Sequence, residues 1–470
     1  MKSLSLRPPA ACRQEKCRAR LLAFVTAMAL AAGALQLAAG QSLLAPAPPM
    51  GWNSWDSYGL TIEESEFKAN AAWMAKNLKP FGWSYAVVDE GWYLANPRSH
   101  GKPAWQFTLD GNGRYFPAPN RFPSAAAGRG FKPIADYAHS LGLKFGIHII
   151  RGIPREAVEK NAAIAGSSYH AADAADRSDT CAWNPDNYGV KPSAAGQAYY
   201  DSLARLYASW GVDFVKVDCI SSPYRAEEIR MISAALSKSG RPIVLSLSPG
   251  PTPLSQAKEV RKYAQLWRIS GDVWDHWEPW PGRDWSQSLH GQFSTAASWA
   301  PYVEPGHWPD ADMLPIGYLG PRPGEGAPRP TALSRNEQRT LLTLWSMLRS
   351  PLMMGGNLTL NDAWTTSLLT NAEVIAVDQR SMHGRPMITT PTVIVWTAEA
   401  QAGSDRYVAV FNVGERTERV ARPWKDLGLE SPAYRMRDLW EHRNLRTESS
   451  LNVTVPAHGS ALYRLSPGSK

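Results

Sequence analysis

Cysteine is scarce in this 470-residue chain, with Cys12 and Cys17 near the amino terminus and only Cys181 and Cys219 beyond it. No CxxC or HxxxH spacing occurs, which excludes the common structural zinc frameworks and their roughly four ligands. A surplus of one charge is lacking too. The formal charge is +8, but residues 1–40 hold six of the 50 Lys/Arg and one of the 42 Asp/Glu. The remaining 44 basic and 41 acidic residues nearly balance, so no nucleic-acid partner is expected. Internal repeats are absent, and the Ala-rich leader is the only low-complexity stretch. Long apolar runs are limited to Leu21–Leu35, at the short end of a bilayer span. With 44% hydrophobic and 20% charged residues, the chain is neither disordered nor collagen-like and can bury a large core.

Residues 1–40 have the layout of a secretory signal peptide. Lys2, Arg7, Arg13, Lys16, Arg18 and Arg20 precede the apolar run, and Ala38 and Gly40 are small enough for the −3 and −1 positions of a cleavage site. The alternative is an uncleaved amino-terminal anchor. Export implies a secreted or periplasmic protein, with no membrane attachment once the signal is removed. In an oxidising compartment the surviving pair, Cys181 and Cys219, is expected to form a disulfide rather than a metal site.

From about 46 to 380, short β-rich runs alternate with helical stretches, which argues for a parallel sheet covered by helices. The clearest helix is 195–210, where Tyr199, Leu203, Leu206 and Trp210 share a face before Gly211. A second is expected from Thr61, capped through Glu64, with the stripe Phe67, Ala71, Met74 and Leu78; a third follows the capping box of Ser334 and Glu337. Strands are expected at 50–55, 85–90, 144–149, 214–218, 243–248, 266–270, near Tyr302, and at 352–355. Eight strands over about 330 residues suit a (β/α)8 barrel, with the longest insertions on either side of the third strand. After about 385 the helical signal stops, and strands at 393–398, 407–412, 434–440 and 451–455 predict a small antiparallel β-sandwich over 385–467.

Acidic residues recur at the carboxyl ends of the expected barrel strands, the catalytic face of this architecture. They are Asp89 and Glu90 after the second, Asp218 ending the fourth, and Asp272 just after the sixth. Taken singly, each is equally readable as a cap or turn residue. Two facing carboxyls can divide glycoside hydrolysis between a nucleophile and a proton donor, at about 5 to 5.5 Å in retaining enzymes. Asp218 suits the nucleophile, because Lys216 lies on the same face of the strand and an ammonium keeps a carboxylate ionised; the alternative for Lys216 is a structural ion pair. For the acid, Asp272 and Asp275 compete on the residues alone. Of the 20 tryptophans, Trp52, Trp55, Trp92, Trp267, Trp274, Trp277 and Trp308 gather near strand ends, where indoles stack on sugars or fill the core.

The landmarks in order resemble glycoside hydrolase family 27, the α-galactosidase and α-N-acetylgalactosaminidase family. They are Pro49-Met50-Gly51-Trp52-Asn53-Ser54-Trp55, Val88-Asp89-Glu90-Gly91-Trp92, Lys144-Phe145-Gly146-Ile147-His148, Val215-Lys216-Val217-Asp218-Cys219, Trp267-Arg268-Ile269-Ser270-Gly271-Asp272 and Trp308-Pro309-Asp310-Ala311-Asp312-Met313-Leu314. The resemblance spans about 46–380. It implies Asp218 as nucleophile and Asp272, not Asp275, as acid/base, with Trp55, Asp89, Glu90, His148, Lys216 and Arg268 around the sugar. It implies retention of configuration and neither metal nor cofactor, and it supports the Cys181–Cys219 pairing.

Three departures bear on the sugar. Asp89-Glu90 stands where α-galactosidases have two consecutive Asp residues, and the longer side chain intrudes on the space of a 6-hydroxymethyl group. Ser248 stands near the position of a family Glu that meets the 2-substituent, an arrangement similar to N-acetylgalactosaminidases. His148 replaces an aromatic hydroxyl. The leading expectation is a secreted retaining exo-glycosidase acting on terminal α-D-galactosyl or galactose-like residues of oligo- or polysaccharides. Alternatives are a β-L-arabinopyranosidase, an α-N-acetylgalactosaminidase or an isomaltodextranase of the same family. Outside enzymes, they are a non-catalytic carbohydrate-binding protein or a structural or adhesion protein. The oligomeric state is not readable from the residues.

Overall fold

Eight short parallel strands form the first sheet: β1 (Met50–Asn53), β2 (Tyr85–Val88), β3 (Lys144–Ile150), β4 (Phe214–Asp218), β5 (Val244–Leu247), β6 (Leu266–Arg268), β7 (Trp308–Asp310) and β8 (Leu352–Met354). In this computed structural model the described residues are 43–98, 105–320 and 327–468; the expected leader over 1–40 lies outside them. From β1 to β7 each strand pairs with the next in sequence, and β8 pairs with β1, in the order β7-β6-β5-β4-β3-β2-β1-β8. The curled sheet is a (β/α)8 barrel in which β7 and β8 share no ladder. The seam is joined instead by a single parallel bridge, Leu314 to Met354, and by the Ala311 N–H donating to Ser350 Oγ at 2.9 Å.

Helices follow each strand, including α1 (Glu64–Asn77), α2 (Lys132–Ser140), α3 (Ala194–Trp210), α4 (Ala226–Lys238), α5 (Ala257–Tyr263), α6 (Leu289–Trp299), α7 (Arg335–Leu348), α8 (Ala363–Leu369) and α9 (Ala372–Arg380). The signals that set α3 are those of its sequence. Ser193 caps its start, Gly211 with φ 83° ends it, and Tyr199, Leu203 and Trp210 are buried while Leu206 is half-buried. In α1 the stripe Phe67, Ala71, Met74 and Leu78 is buried as expected, but the cap differs. The helix begins at Glu64, and it is Glu66 that reaches back to the Glu63 N–H at 2.9 Å. Thr61 is occupied in a preceding turn, donating to the Tyr58 carbonyl. The strand expected near Tyr302 is a 3-10 turn, and the seventh strand lies six residues later at Trp308.

Beyond α9 come β9 (Ser381–Thr389), β10 (Val393–Ala400), β11 (Arg406–Asn412), β12 (Glu418–Pro423), β13 (Tyr434–Asp438), β14 (Arg443–Glu448), β15 (Ser450–Val455) and β16 (Ser460–Pro467). They form a six-stranded antiparallel sheet, β9-β10-β11-β16-β13-β14, and a two-stranded one, β12-β15. Val408, Val410, Trp424, Leu451 and Leu465 fill the space between them. The other face of the large sheet joins the barrel core. Phe411 meets Phe293 at 5.0 Å between ring centroids, and the His458 ring stacks on Trp277 at 4.1 Å.

In the barrel wall, Gly51 of β1 pairs with Tyr85 of β2, and a Cβ at Gly51 would lie 2.2 Å from the Tyr85 carbonyl oxygen. Backbone cannot yield there as a side-chain tip can. Gly51→Ala is therefore expected to destabilise the fold by about 1–3 kcal/mol, the usual range for overpacking; a urea midpoint equal to that of the parent chain would contradict this account of the close approach.

Candidate active site

The carboxyl ends of the barrel strands open into a cavity of about 950 Å3. β2, β4 and β6 deliver its charges. The pleat sends Lys216 and Asp218, two residues apart on β4, to the same face. The ladder sets His148 opposite Lys216 and Ile150 opposite Asp218. Four charged or ionisable side chains from three adjacent strands thus converge.

Asp89 is buried, and its Oδ2 accepts from Lys216 Nζ at 2.9 Å and from Asn53 Nδ2 at 2.6 Å. Its Oδ1 accepts the Glu90 N–H at 2.8 Å. Burial alone would push this carboxyl up, but the Lys216 ammonium, then His148, outweigh it and hold the group well below the ordinary range. Burial likewise works against the Lys216 charge, and Asp89 and Asp218 more than restore it. The expected ammonium is present, but its direct partner is Asp89 rather than Asp218.

Asp218 takes its support from His148. The His148 Nε2 lies 3.3 Å from Asp218 Oδ2, and the Cys219 N–H donates to Oδ1 at 2.5 Å. Burial raises the Asp218 carboxyl, and His148, followed by Lys216 and the Cys219 N–H, brings it below its ordinary value. The same carboxylates raise His148, against the burial that would keep its ring neutral. His148 is 1% exposed and does not line the cavity. Its ring nitrogen is directed at the two carboxylates, 3.3 Å from Asp218 Oδ2 and 4.0 Å from Asp89 Oδ1. Cys219 is joined to Cys181, with Cα atoms 6.0 Å apart. Arg151 donates from Nε to the Cys219 carbonyl and pairs with Glu228 and Asp179.

On the opposite wall, Arg268 Nη2 lies 3.2 Å from Asp272 Oδ1 and 2.7 Å from Asp312 Oδ2. Asp312 also accepts the Val273 N–H at 2.8 Å. Its carboxyl is pushed up to about 6, chiefly by burial, which the Arg268 guanidinium offsets only in part. Asp272 shares the cavity with Asp218. Asp275, the other candidate acid, is absent from the lining; it is buried, clamped by Arg329 and by the Ala332 N–H.

Of the remaining residues singled out in the sequence, Trp55, Asp89, Glu90, Lys216, Ser248 and Arg268 all line this cavity. Trp274 does too, whereas Trp52, Trp92, Trp267 and Trp308 are fully buried core. Trp92 anchors the site from behind, donating to the His148 carbonyl at 2.7 Å. Glu90, His148 and Asp218 present possible metal-ligand atoms within 4.8 Å of one another, but these side chains are already engaged, His148 with Asp218 and Glu90 with Asn184. Sequence reasoning missed Asn184, whose Nδ2 donates to Glu90 Oε1 at 2.8 Å. It also assigned no role to Asp312, Trp183 or Trp285, although Asp312 sits in a motif it quoted.

Comparison with known proteins agrees with this layout. The sequence profile described as alpha galactosidase A matches residues 177–380, and that of the alpha galactosidase C-terminal beta sandwich domain matches 390–465. An alpha-galactosidase of Coffea arabica is 31% identical over 429 residues, covering 89% of this chain and 94% of the coffee protein. The chain belongs to glycoside hydrolase family 27. The family 27 β-L-arabinopyranosidase of Geobacillus stearothermophilus superposes with a TM-score of 0.85 at 48% identity, over 90% of this chain and 97% of that one. A variant of that enzyme, in complex with arabinose, gives 0.85 at 47% identity, over 91% and 98%. Alpha-galactosidase I of Mortierella vinacea gives 0.71 at 25% identity, over 91% and 99%. The family 27 chain is thus a glycoside hydrolase with glycan substrates, and no helix among its described residues is long and apolar enough to cross a membrane.

In this family 27 fold the buried Lys216–Asp89 pair has a pH signature. Asp89 is lowered in the folded chain, so its contribution to stability is complete above the unfolded value of 3.8 and is lost as the pH falls through the folded one. Lys216→Met leaves a buried carboxylate without its ammonium and is expected to cost about 3–5 kcal/mol at neutral pH. The gap in urea stability between parent and variant should narrow once the pH drops below about 5, as Asp89 in the variant takes up a proton. A gap unchanged down to pH 4 would show that Asp89 is not the group this ammonium supports.

Proposed function

We propose that this family 27 hydrolase is an exported, retaining exo-glycosidase whose preferred terminal sugar is β-L-arabinopyranose, with α-D-galactose as the second reading. Asp218, held ionised by His148, attacks the anomeric carbon while Asp272 protonates the glycosidic oxygen; the C–O bond breaks and a glycosyl ester forms on Asp218. Asp272, now a carboxylate, takes a proton from water as that water attacks the same carbon and releases Asp218. Net configuration is retained because the centre is inverted twice. Trp55, Asp89, Lys216, Ser248 and Arg268 hold the ring. Residues 1–40 are the leader removed on export, 46–380 the catalytic barrel and 385–467 the β-sandwich.

The observation that carries the choice of sugar is Glu90. Its carboxylate is held at the cavity wall by Asn184 at 2.8 Å, beside the buried Asp89. A side chain one methylene longer than Asp takes up room that a hexose needs for its 6-hydroxymethyl group. β-L-Arabinopyranose has the ring configuration of α-D-galactose without that group. The 48% identity to the Geobacillus β-L-arabinopyranosidase supports the same sugar, and the 31% identity to the coffee alpha-galactosidase supports the second reading.

Asp218→Ala and Asp272→Ala should each abolish measurable turnover of the preferred natural-type glycoside with the urea midpoint preserved; activity close to the parent's in either variant would remove the assignment. In a separate comparison of aryl β-L-arabinopyranoside with aryl α-D-galactoside, Glu90→Asp should raise the galactoside rate relative to the arabinopyranoside by about tenfold, as one methylene in a tight pocket is worth roughly 1–3 kcal/mol. An unchanged ratio would refute the steric argument.

A further inference from the structure

The backbone next to Asp272 carries a side chain that the reaction described above does not use. The Asp272 N–H donates to the Trp285 carbonyl at 3.2 Å, and Asp272–Val273 pairs in parallel with Ser286–Gln287. The two segments lie so close that a Cβ on Gly271 would come within 2.2 Å of the Trp285 oxygen. Trp285 is 44% exposed and lines the same cavity as Asp218 and Asp272. Its loop is braced by its own neighbours. The Arg283 guanidinium lies 3.6 Å over the Trp280 ring and 5.6 Å from the Trp285 ring centroid. The Ser286 N–H donates to the Arg283 carbonyl, and the His276 ring nitrogen sits 3.0 Å from Ser286 Oγ. A large indole held in this way offers contact area with little ordering left to do on binding.

An acid/base has to reach the oxygen that joins the cleaved sugar to its leaving group. The surface beside Asp272 therefore flanks the leaving group, not the sugar over Asp218. The cavity, about 950 Å3, is at the upper end of the about 300–1,000 Å3 typical of small-molecule sites, and Arg283, Asp284 and Gln287 add charged and amide groups to its lining. We propose that Trp285, braced by Arg283, is a stacking platform for a pyranose leaving group, so that the substrate is an oligo- or polysaccharide rather than the glycoside of a small alcohol. This rests on the reading of Asp272 as acid/base.

The test compares two substrates with the same terminal sugar: a disaccharide, and the glycosyl fluoride, whose leaving group is a single atom that needs no platform. Both are prepared in the β-L-arabinopyranosyl and α-D-galactosyl series. Trp285→Ala should lower kcat/KM for the disaccharide about tenfold, mainly through KM, and change that for the fluoride less than twofold; Trp285→Phe should recover part of the loss. An equal loss on both substrates, or none on the disaccharide, overturns the platform. Failure of the underlying reading has different signatures. The parent enzyme would then hydrolyse neither fluoride, or Asp272→Ala would cleave the disaccharide as fast as the parent.

Discussion

Burying an ammonium inside a barrel is tolerable only if a carboxylate meets it there, and the contact between Lys216 and Asp89 is what the rest of the site is arranged around. Asp89 is buried and the Lys216 side chain is 14% exposed where it lines the cavity; an isolated charge at Asp89 would cost several kcal/mol. The contact links β4 to the end of β2, across β3, at 2.9 Å. It thereby ties together two strand ends whose register the backbone ladders set. His148 occupies the strand between them, in register with Lys216, with its ring 3.3 Å from Asp218 and 4.0 Å from Asp89. The ammonium and the imidazole so interleaved both support the two carboxylates.

The opposite wall is built on a different balance. One guanidinium, Arg268, serves both Asp272 and Asp312, and Asp312 is pushed up to about 6 by burial that Arg268 does not fully offset. Asp312 also takes the N–H of Val273, next in chain to Asp272. A single short motif near the seventh strand thus holds both the backbone and the cation of the segment that presents Asp272. Asp218 is met by His148 and the Cys219 N–H, whereas Asp272 meets a guanidinium that Asp312 also engages.

Much of this follows from periodicity in the chain. Alternation of strands and helices yields the barrel, and a period of two on β4 places Lys216 with Asp218. What the period cannot say is which carboxylate the ammonium meets, because Asp89 is 127 residues away and arrives from another strand. The approach of the His148 ring to the carboxylates depends on packing too, in part on Trp92 holding the His148 carbonyl. The seventh strand eludes pattern reading for a plainer reason. Trp308–Asp310 is three residues long, includes Pro309, and is outweighed by the apolar stretch around Tyr302. Asn184 and Trp285 come from insertions without any period, and only the fold brings them to the cavity.

The disulfide joins the segment that holds Glu90 to the segment that supports Asp218. Asn184 stands three residues after Cys181, and Cys181 is bonded to Cys219, the residue after Asp218. Closing a loop across 38 residues removes freedom worth roughly 3–5 kcal/mol from the unfolded chain in the entropic account. Its structural consequence is local: the amide that fixes Glu90 and the N–H that supports Asp218 belong to segments joined by a covalent bond. Arg151 braces that joint from below through the Cys219 carbonyl, Glu228 and Asp179. On the reading proposed here, a change at Glu90 or Asn184 alters the space around the sugar while Asp218 keeps its own hydrogen bonds.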